Sequence, residues 1–313
     1  MHVKDGPVKF SASLLTLAIL LGSNLPAGAD VLEIQEVTEG VWSFVGPLEQ
    51  RNPENLGNNA TFGLVVTPDG AVLIDPGGSE RGAAMIDQAI KELTDEPVRY
   101  VIDTGGQDHR WLGNSYWQGK GAIVIAATSA VDDQQARYSM QMTTLSQLIG
   151  DGLDGTIASY ADITFENEYV LEIGGKTIEI HHRAPAHTPG DSFVWIPESN
   201  TVFTGDIVFV GRVLGIMEYS NSAEWLDAFD AIEALNPKHL VPGHGTATTM
   251  KVARADTYEY LTNLRSQIGA HIASGGGIIK SVNVDQSAFS YLDQFEALAG
   301  RNAQAVFEQM EWE

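Results

Sequence analysis

The sequence contains no cysteine among its 313 residues. This absence excludes disulfides, thiolate metal ligands and thiol nucleophiles, so any metal site must be built from histidine, aspartate and glutamate. Basic residues are also scarce, with 18 Lys and Arg against 41 Asp and Glu and a formal net charge of −23. A field of that sign repels nucleic acid and anionic membrane surfaces, and neither is expected as a partner.

Long hydrophobic runs are lacking as well, because no segment approaches the roughly 20 apolar residues that span a bilayer. The apolar run at residues 14–21 follows Lys4 and Lys9 and precedes Ala27-Gly28-Ala29, an order typical of a secretory signal peptide. We therefore predict a signal peptide over residues 1–29 and a mature domain over residues 30–313, in the periplasm or outside the cell. The mature net charge would be −24, since Asp5 leaves with the two lysines. An uncleaved membrane anchor is the alternative.

Several nucleotide and nucleophile motifs are missing, including G-x-S-x-G, a Walker loop and a G-x-G-x-x-G after a strand. Instead, short β patterns alternate with helical periodicity, which predicts a layered α/β fold. A hairpin is expected over 62–75. Helices are predicted over 80–93, 131–148, 223–234, 250–273 and 287–310, and strands over 98–102, 123–127, 169–173, 177–181, 193–196, 201–203 and 239–241.

Four short segments each place polar side chains where a predicted strand ends. They are Asp108-His109, His187-Thr188-Pro189-Gly190-Asp191, Thr204-Gly205-Asp206 and Pro242-Gly243-His244-Gly245. One such residue alone is more often a hydrogen-bonded structural group. Four of them after successive strand–helix units indicate a ligand or metal site, because loops from several strand ends converge in layered α/β folds.

These segments, together with the hairpin ending in Leu73-Ile74-Asp75-Pro76-Gly77, resemble the metallo-β-lactamase superfamily over nearly the whole mature chain. Asp206 and the Pro-Gly-His-Gly segment are most similar to hydroxyacylglutathione hydrolases and to their exported relatives near sulfur-oxidation and quinoprotein systems. The resemblance implies an α/β fold of the four-layer αββα sandwich type, with a metal site along one edge.

One loop departs from the family pattern. The family reads His-x-His-x-Asp-His, whereas residues 104–109 read Thr-Gly-Gly-Gln-Asp-His, so Thr104 and Gly106 replace two histidines. In the family those histidines form the first metal site with the residue that matches His187. The resemblance assigns the second site to Asp108, His109 and His244, with Asp206 bridging the two sites. The predicted metal ligands are therefore Asp108, His109, His187, Asp206 and His244.

The ligand pattern predicts one divalent metal at the second site, because His187 and a shared Asp206 are too few donors for the first. Zinc is favoured, with iron or manganese as alternatives. A single zinc lowers the pKa of a bound water to roughly 7 and polarises a carbonyl. We expect hydrolysis of a thioester, lactone or lactam in a small-molecule substrate, with Asp108 and His187 as the catalytic residues.

Alternatives to this hydrolase remain open at the level of sequence. The loss of two histidines also fits a non-catalytic metal- or ligand-binding protein, so the sequence leaves enzyme status open. An iron-dependent persulfide dioxygenase is disfavoured, because relatives of that kind use the missing first-site histidines. The sequence predicts no oligomeric state. Residues 138–148 form either a lid or a surface helix, Trp111 lies in a pocket or in the core, and His181 and His182 are structural.

Overall fold

The computed structural model describes residues 1–2 and 31–313 and contains two β-sheets that pack face to face. The predicted signal peptide falls almost wholly outside the described residues. The first sheet has seven strands in the order β1-β2-β3-β4-β5-β6-β7, antiparallel up to β4 and parallel thereafter. These strands are β1 (Glu33–Thr38), β2 (Val41–Val45), β3 (Thr61–Thr67), β4 (Gly70–Ile74), β5 (Val98–Asp103), β6 (Ile123–Ala127) and β7 (Ile163–Phe165).

The second sheet has five strands in the order β12-β11-β10-β9-β8, in which only β11 and β12 run parallel. They are β8 (Glu168–Ile173), β9 (Lys176–His181), β10 (Phe193–Ile196), β11 (Thr201–Phe203) and β12 (His239–Val241). Helices cover both outer faces. Their bounds are α1 (Glu80–Leu93), α2 (Asn114–Gly119), α3 (Thr128–Ile149), α4 (Glu224–Ala234), α5 (Met250–Ala253), α6 (Glu259–Ala273), α7 (Ile278–Ser281) and α8 (Phe295–Met310).

Alternating side chains on the strands build separate cores on the two faces of each sheet. Val72 and Ile102 point between the sheets, where they pack with Ile180 of the second sheet. Their neighbours Leu73 and Val101 point outward and pack under α1. This is the period-two alternation of a strand that is buried on both faces. The result is the predicted four-layer αββα sandwich, which is confirmed.

Helix α1 illustrates how local sequence sets an element. Ser79 is its N-cap, and the Ser79 Oγ accepts a hydrogen bond from the Gly82 N–H at 2.9 Å. Ala83, Ile86 and Ile90 then follow at helical spacing and are buried against the first sheet. The predicted bounds of 80–93 are confirmed.

The predicted start of the last helix was wrong, because α8 begins at Phe295 rather than at residue 287. The preceding chain is held elsewhere: the Val213 N–H donates to the Asp293 carbonyl and the Asp293 N–H donates to the Gly211 carbonyl, both at 2.9 Å. Gln294 then adopts a φ of 61°, which no α-helical residue has. A long-range backbone pair therefore overrides the local helical pattern. Strands β1, β2 and β7 and helices α2 and α7 were not predicted.

None of the described helices is long and apolar enough to cross a bilayer.

Candidate metal centre

Loops that follow β2, β5, β9, β11 and β12 meet at one edge of the sandwich and enclose a cleft of about 360 Å³. That volume lies at the small end of the range for ligand sites. Four of the five predicted site residues line the cleft, namely Asp108, His109, His187 and His244. The fifth, Asp206, is buried directly behind two of these histidines.

Three of the predicted ligands converge. One possible ligand atom from each of His109, Asp206 and His244 lies within 4.8 Å of the other two. Both histidines approach the same carboxylate: the His109 Nε2 is 3.2 Å from Asp206 Oδ2, and the His244 Nε2 is 3.2 Å from Asp206 Oδ1. Within the described part of the chain this is the one such group of metal-binding side chains.

A fully buried arginine holds the Asp206 carboxylate in place. The Arg110 Nη2 donates to Asp206 Oδ1 at 2.6 Å and to the Gly243 carbonyl at 2.9 Å. Its other terminal nitrogen, Nη1, donates to Asp75 Oδ2 at 2.7 Å and to the Thr61 carbonyl at 3.1 Å. One planar guanidinium thus joins two buried carboxylates and two loops, a geometry that a lysine cannot supply.

The surroundings set the charge states that metal binding requires. Burial alone would raise the pKa of Asp206, but Arg110 and His109 hold it well below its usual value, so the carboxylate is ionised. Burial also lowers the pKa of His244 well below the ordinary histidine value, and its imidazole is neutral near pH 7. Ionised carboxylate and neutral imidazole are the forms that bind metals. Two imidazoles and one carboxylate therefore fit a divalent metal with an open coordination position.

Asp108 lies beside this group but is engaged by an arginine from the β2–β3 loop. The Arg51 Nε donates to Asp108 Oδ1 at 3.1 Å, and the Arg51 Nη2 contacts the same oxygen. Despite burial, the Arg51 charge holds the pKa of Asp108 well below its usual value. The Arg51 Nη2 is also 2.9 Å from the His109 Nδ1. Because a guanidinium only donates, Nδ1 accepts in this arrangement and Nε2 carries the proton, so Nε2 can bind a metal only after Arg51 leaves Nδ1 and the proton moves there.

His187 lies in an aromatic part of the cleft, outside the three-residue group. The rings of Trp225, Phe209 and Tyr219 lie 5.8, 5.9 and 6.3 Å from its own ring. The His187 Nδ1 is 2.8 Å from the Gly215 carbonyl, which can only accept, so this nitrogen carries the proton. Burial lowers the pKa of His187 to about 4. The imidazole is therefore neutral near pH 7.

At the two positions where the family has histidines, Thr104 and Gly106 make contacts of another kind. The Thr104 hydroxyl donates to Asp75 Oδ1 at 2.8 Å, which places it in the buried support beneath the site. At Gly106, a β-carbon would lie only 1.9 Å from Asp133 Oδ2, and Asp133 is itself paired with Arg137. A carboxylate and a guanidinium thus fill the space beside Gly106.

Sequence reasoning missed the arginines of the cleft. Arg51, Arg137, Arg212 and Arg301 all line it, together with a single ionised carboxylate, Asp108. They come from four distant parts of the chain, and no spacing or motif connects them. Residues 138–148 form one wall of the cleft through Met140, Gln141, Thr144 and Leu148 of α3. Of the two locations considered for Trp111, pocket or core, the structure shows the core. Trp111 is fully buried under α3, where its Nε1 donates to Gln141 Oε1 at 2.9 Å.

Comparison with known structures supports the fold. A metallo-beta-lactamase from Pontibacter korlensis superposes with a TM-score of 0.60 at 20% identity, covering 74% of this chain and 99% of that protein. A crystal structure of the DIM-1 metallo-beta-lactamase gives a TM-score of 0.55 at 18% identity, covering 72% of this chain and 95% of that protein. The same enzyme exposed to ceftazidime gives 0.54 at 18%, with coverages of 71% and 93%. At these identities the likeness concerns the fold.

Family membership is established by a sequence model rather than by those superpositions. The model of the metallo-beta-lactamase superfamily matches residues 57–244, which is more than half of the chain and includes all five predicted site residues. The match suggests a metal-dependent hydrolase. Given the αββα sandwich, the strand-end cleft and this match, the chain belongs to the metallo-beta-lactamase superfamily.

Proposed function

We propose that this protein is a hydrolase of carbonyl-type bonds (thioester, lactone or lactam) that uses one divalent metal. The observation that carries the proposal is the convergence of His109, Asp206 and His244 within 4.8 Å. The substrate class, the single metal and its identity as zinc all belong to this proposal. Three protein ligands with an open position are the arrangement of catalytic rather than structural zinc sites.

The protein side chains supply most of what the reaction needs. His109, Asp206 and His244 would hold the metal, which when bound contributes an acidified water and polarises a carbonyl. Arg110 fixes the Asp206 carboxylate from behind, as outer partners of metal ligands commonly do. The His187 ring, oriented by the Gly215 carbonyl, lines the cleft as a neutral imidazole whose Nε2 can accept a hydrogen bond from a water or substrate group.

Asp108 is proposed as a further metal ligand or proton acceptor. Its availability for either role depends on the contact with Arg51. While Arg51 holds Asp108 Oδ1, the carboxylate is engaged by a guanidinium and is a weaker donor for a metal. Rotation of the Arg51 side chain would release it. The loop of Arg51 therefore contributes to both the charge and the composition of the site.

A turnover assay tests the proposed function directly. Purified chain is loaded with zinc and, separately, with iron or manganese, and is offered a panel of thioesters, lactones and β-lactams. We expect turnover of at least one class that disappears after chelation and returns with metal. An Asp206→Asn variant should lose it, whereas His271→Ala, on α6 and away from the cleft, should not. Absence of turnover with every metal would refute the proposal.

A second candidate function is favoured by the positions of Arg51 and Arg137. Each guanidinium contacts an acidic side chain where the family places metal ligands, Arg51 on Asp108 and Arg137 on Asp133 beside Gly106. Permanent cations of this kind can stand in for metal charge in a non-catalytic binding protein. The two candidates differ in whether Arg51 competes with a metal or replaces it.

Replacing Arg51 separates the two candidates. If a metal binds at this site, Arg51→Gln should tighten zinc binding by about tenfold or more, because repulsion by a nearby cation and competition for Asp108 are both removed. Competition titration with a chromophoric chelator measures the affinity. Arg81→Gln removes the same charge from an exposed pair with Asp154 and should leave the affinity unchanged. Weaker or absent zinc binding in Arg51→Gln would favour the non-catalytic candidate.

A further inference from the structure

Arg212 lines the cleft with its charge unpaired. The residue is 9% exposed, and its Nε and Nη1 are buried with no hydrogen-bond partner among the described residues. No carboxylate oxygen of the described chain lies within 4.0 Å of its guanidinium. Buried charges in proteins are almost always paired, because removing an unpaired one from water is strongly unfavourable. The described protein provides no partner for this guanidinium, so a bound ligand would have to supply one.

The groups around Arg212 increase its need for a negative partner. Burial, together with the nearby cation Arg51, lowers the pKa of Arg212 to about 10. Two carboxylates oppose this effect, Asp206 and Asp293, but both are committed elsewhere. Asp206 accepts from Arg110, and the Asp293 Oδ1 accepts from Gln294 Nε2 at 2.6 Å. Arg212 stays protonated and lines the cleft with no carboxylate in direct contact with its guanidinium.

Three further arginines surround the same space. Arg51 and Arg137 are each bound to one carboxylate, and the Arg137 guanidinium also stacks on the Tyr219 ring at 3.8 Å. Arg301, on α8, lines the rim and has no salt bridge within the described residues. The lining thus carries four permanent cations and one carboxylate, in a protein whose formal net charge is −23. Such a local reversal of sign attracts small anions and focuses them into the cleft.

We propose that the cleft binds a small molecule carrying at least two negative charges on carboxylate or phosphate oxygens, with Arg212 and Arg301 as its principal contacts. Guanidinium groups match both kinds of oxyanion through paired hydrogen bonds. The Arg212 guanidinium, which forms no hydrogen bond within the described residues, offers donors for one oxyanion group, and Arg301 at the rim offers donors for a second. The ligand is small, because the cleft encloses about 360 Å³.

This inference deepens the proposed function, on which it rests for the reacting site, by assigning the charge class of the substrate. An anionic group held at Arg212 would lie beside His244. His244 lines the same cleft and is one of the three proposed metal ligands. The bond to be cleaved would then belong to an acidic thioester, lactone or lactam. Neutral substrates would leave the buried charge of Arg212 unmatched.

Calorimetric titration of the chelator-treated chain with citrate and with inorganic phosphate tests this proposal. Ionic strength is held constant with sodium chloride, and removal of metal prevents either anion from binding through it. We expect saturable 1:1 binding of at least one anion, and the preferred one distinguishes carboxylate from phosphate chemistry. Arg212→Met should weaken it by about ten- to 100-fold, as loss of a charged hydrogen-bond partner does.

Two further variants make the result decisive. Arg301→Met changes an exposed residue of α8, so folding should be retained, and binding should weaken by about threefold to tenfold. Arg81→Met removes the same charge from an exposed residue that does not line the cleft, and it should have no effect. Absence of saturable binding, or equal weakening in Arg81→Met and Arg212→Met, would overturn the anion site. Because these titrations need no metal, their failure is distinct from a failure of turnover in the zinc-loaded protein.

Discussion

Arg110→Met should lower the free energy of unfolding by about 3–5 kcal/mol, the cost typical of breaking a buried ion pair by removing one partner. Arg110 is fully buried and donates to Asp75 at 2.7 Å and to Asp206 at 2.6 Å, so its loss leaves two buried carboxylates without their cation. It also removes the Arg110 hydrogen bonds to the Thr61 and Gly243 carbonyls, of which the latter keeps the Thr61 N–H as a donor. Urea unfolding followed by circular dichroism measures the change.

A matched variant controls for the loss of one positive charge. Arg81 pairs with Asp154 at 3.4 Å on an exposed surface, and Arg81→Met should cost no more than about 1 kcal/mol. Arg110→Lys should remain strongly destabilised, because one ammonium cannot reach both carboxylates in the plane of a guanidinium. If Arg110→Met proved as stable as Arg81→Met, the buried pair would not hold the site loops together.

His244→Ala should weaken metal binding by more than about 100-fold, since even outer partners of ligands cost 10- to 100-fold when removed. The His244 Nε2 lies 3.2 Å from Asp206 Oδ1 and contributes one of only three converging donors. Two remaining donors are too few for a tight zinc site. Inductively coupled plasma mass spectrometry on dialysed protein, combined with chelator competition, measures the loss.

The control for this variant is the same histidine-to-alanine substitution at a position outside the cleft. His271 is half-buried on α6, its Nε2 lies 3.0 Å from the Gly277 carbonyl, and it does not line the cleft. His271→Ala should therefore retain the metal. Equal metal content in His244→Ala and in the unmodified chain would place the metal elsewhere in the protein.

Much of the fold could be predicted from the sequence because it follows from short-range patterns. The short apolar runs of β4 and β5 and the helical spacing of α1 are local patterns, and the positions of these elements were predicted within a residue or two. The start of α8 could not, because it depends on a backbone pair between Asp293 and residues 211–213. Such pairs leave no periodic signature.

The candidate site divides in the same way. His109, Asp206 and His244 stand in short motifs that mark strand ends, so their convergence could be expected from the motifs and the fold. The competition at Asp108 could not, because Arg51 lies 57 positions away in a loop without a recognisable pattern. Nor could the sequence show that Asp133 fills the space beside Gly106, where the family has a histidine. The overall formal charge of −23 likewise gave no indication that four arginines line the cleft.

Metal stoichiometry tests the central claim most directly. The purified chain is incubated with excess zinc, passed through gel filtration and analysed for metal and protein in the same fractions. His109, Asp206 and His244 are expected to retain about one zinc per chain, lost in His244→Ala and kept in His271→Ala. A content below about a tenth of an equivalent, or two equivalents per chain, would contradict a single metal at this site.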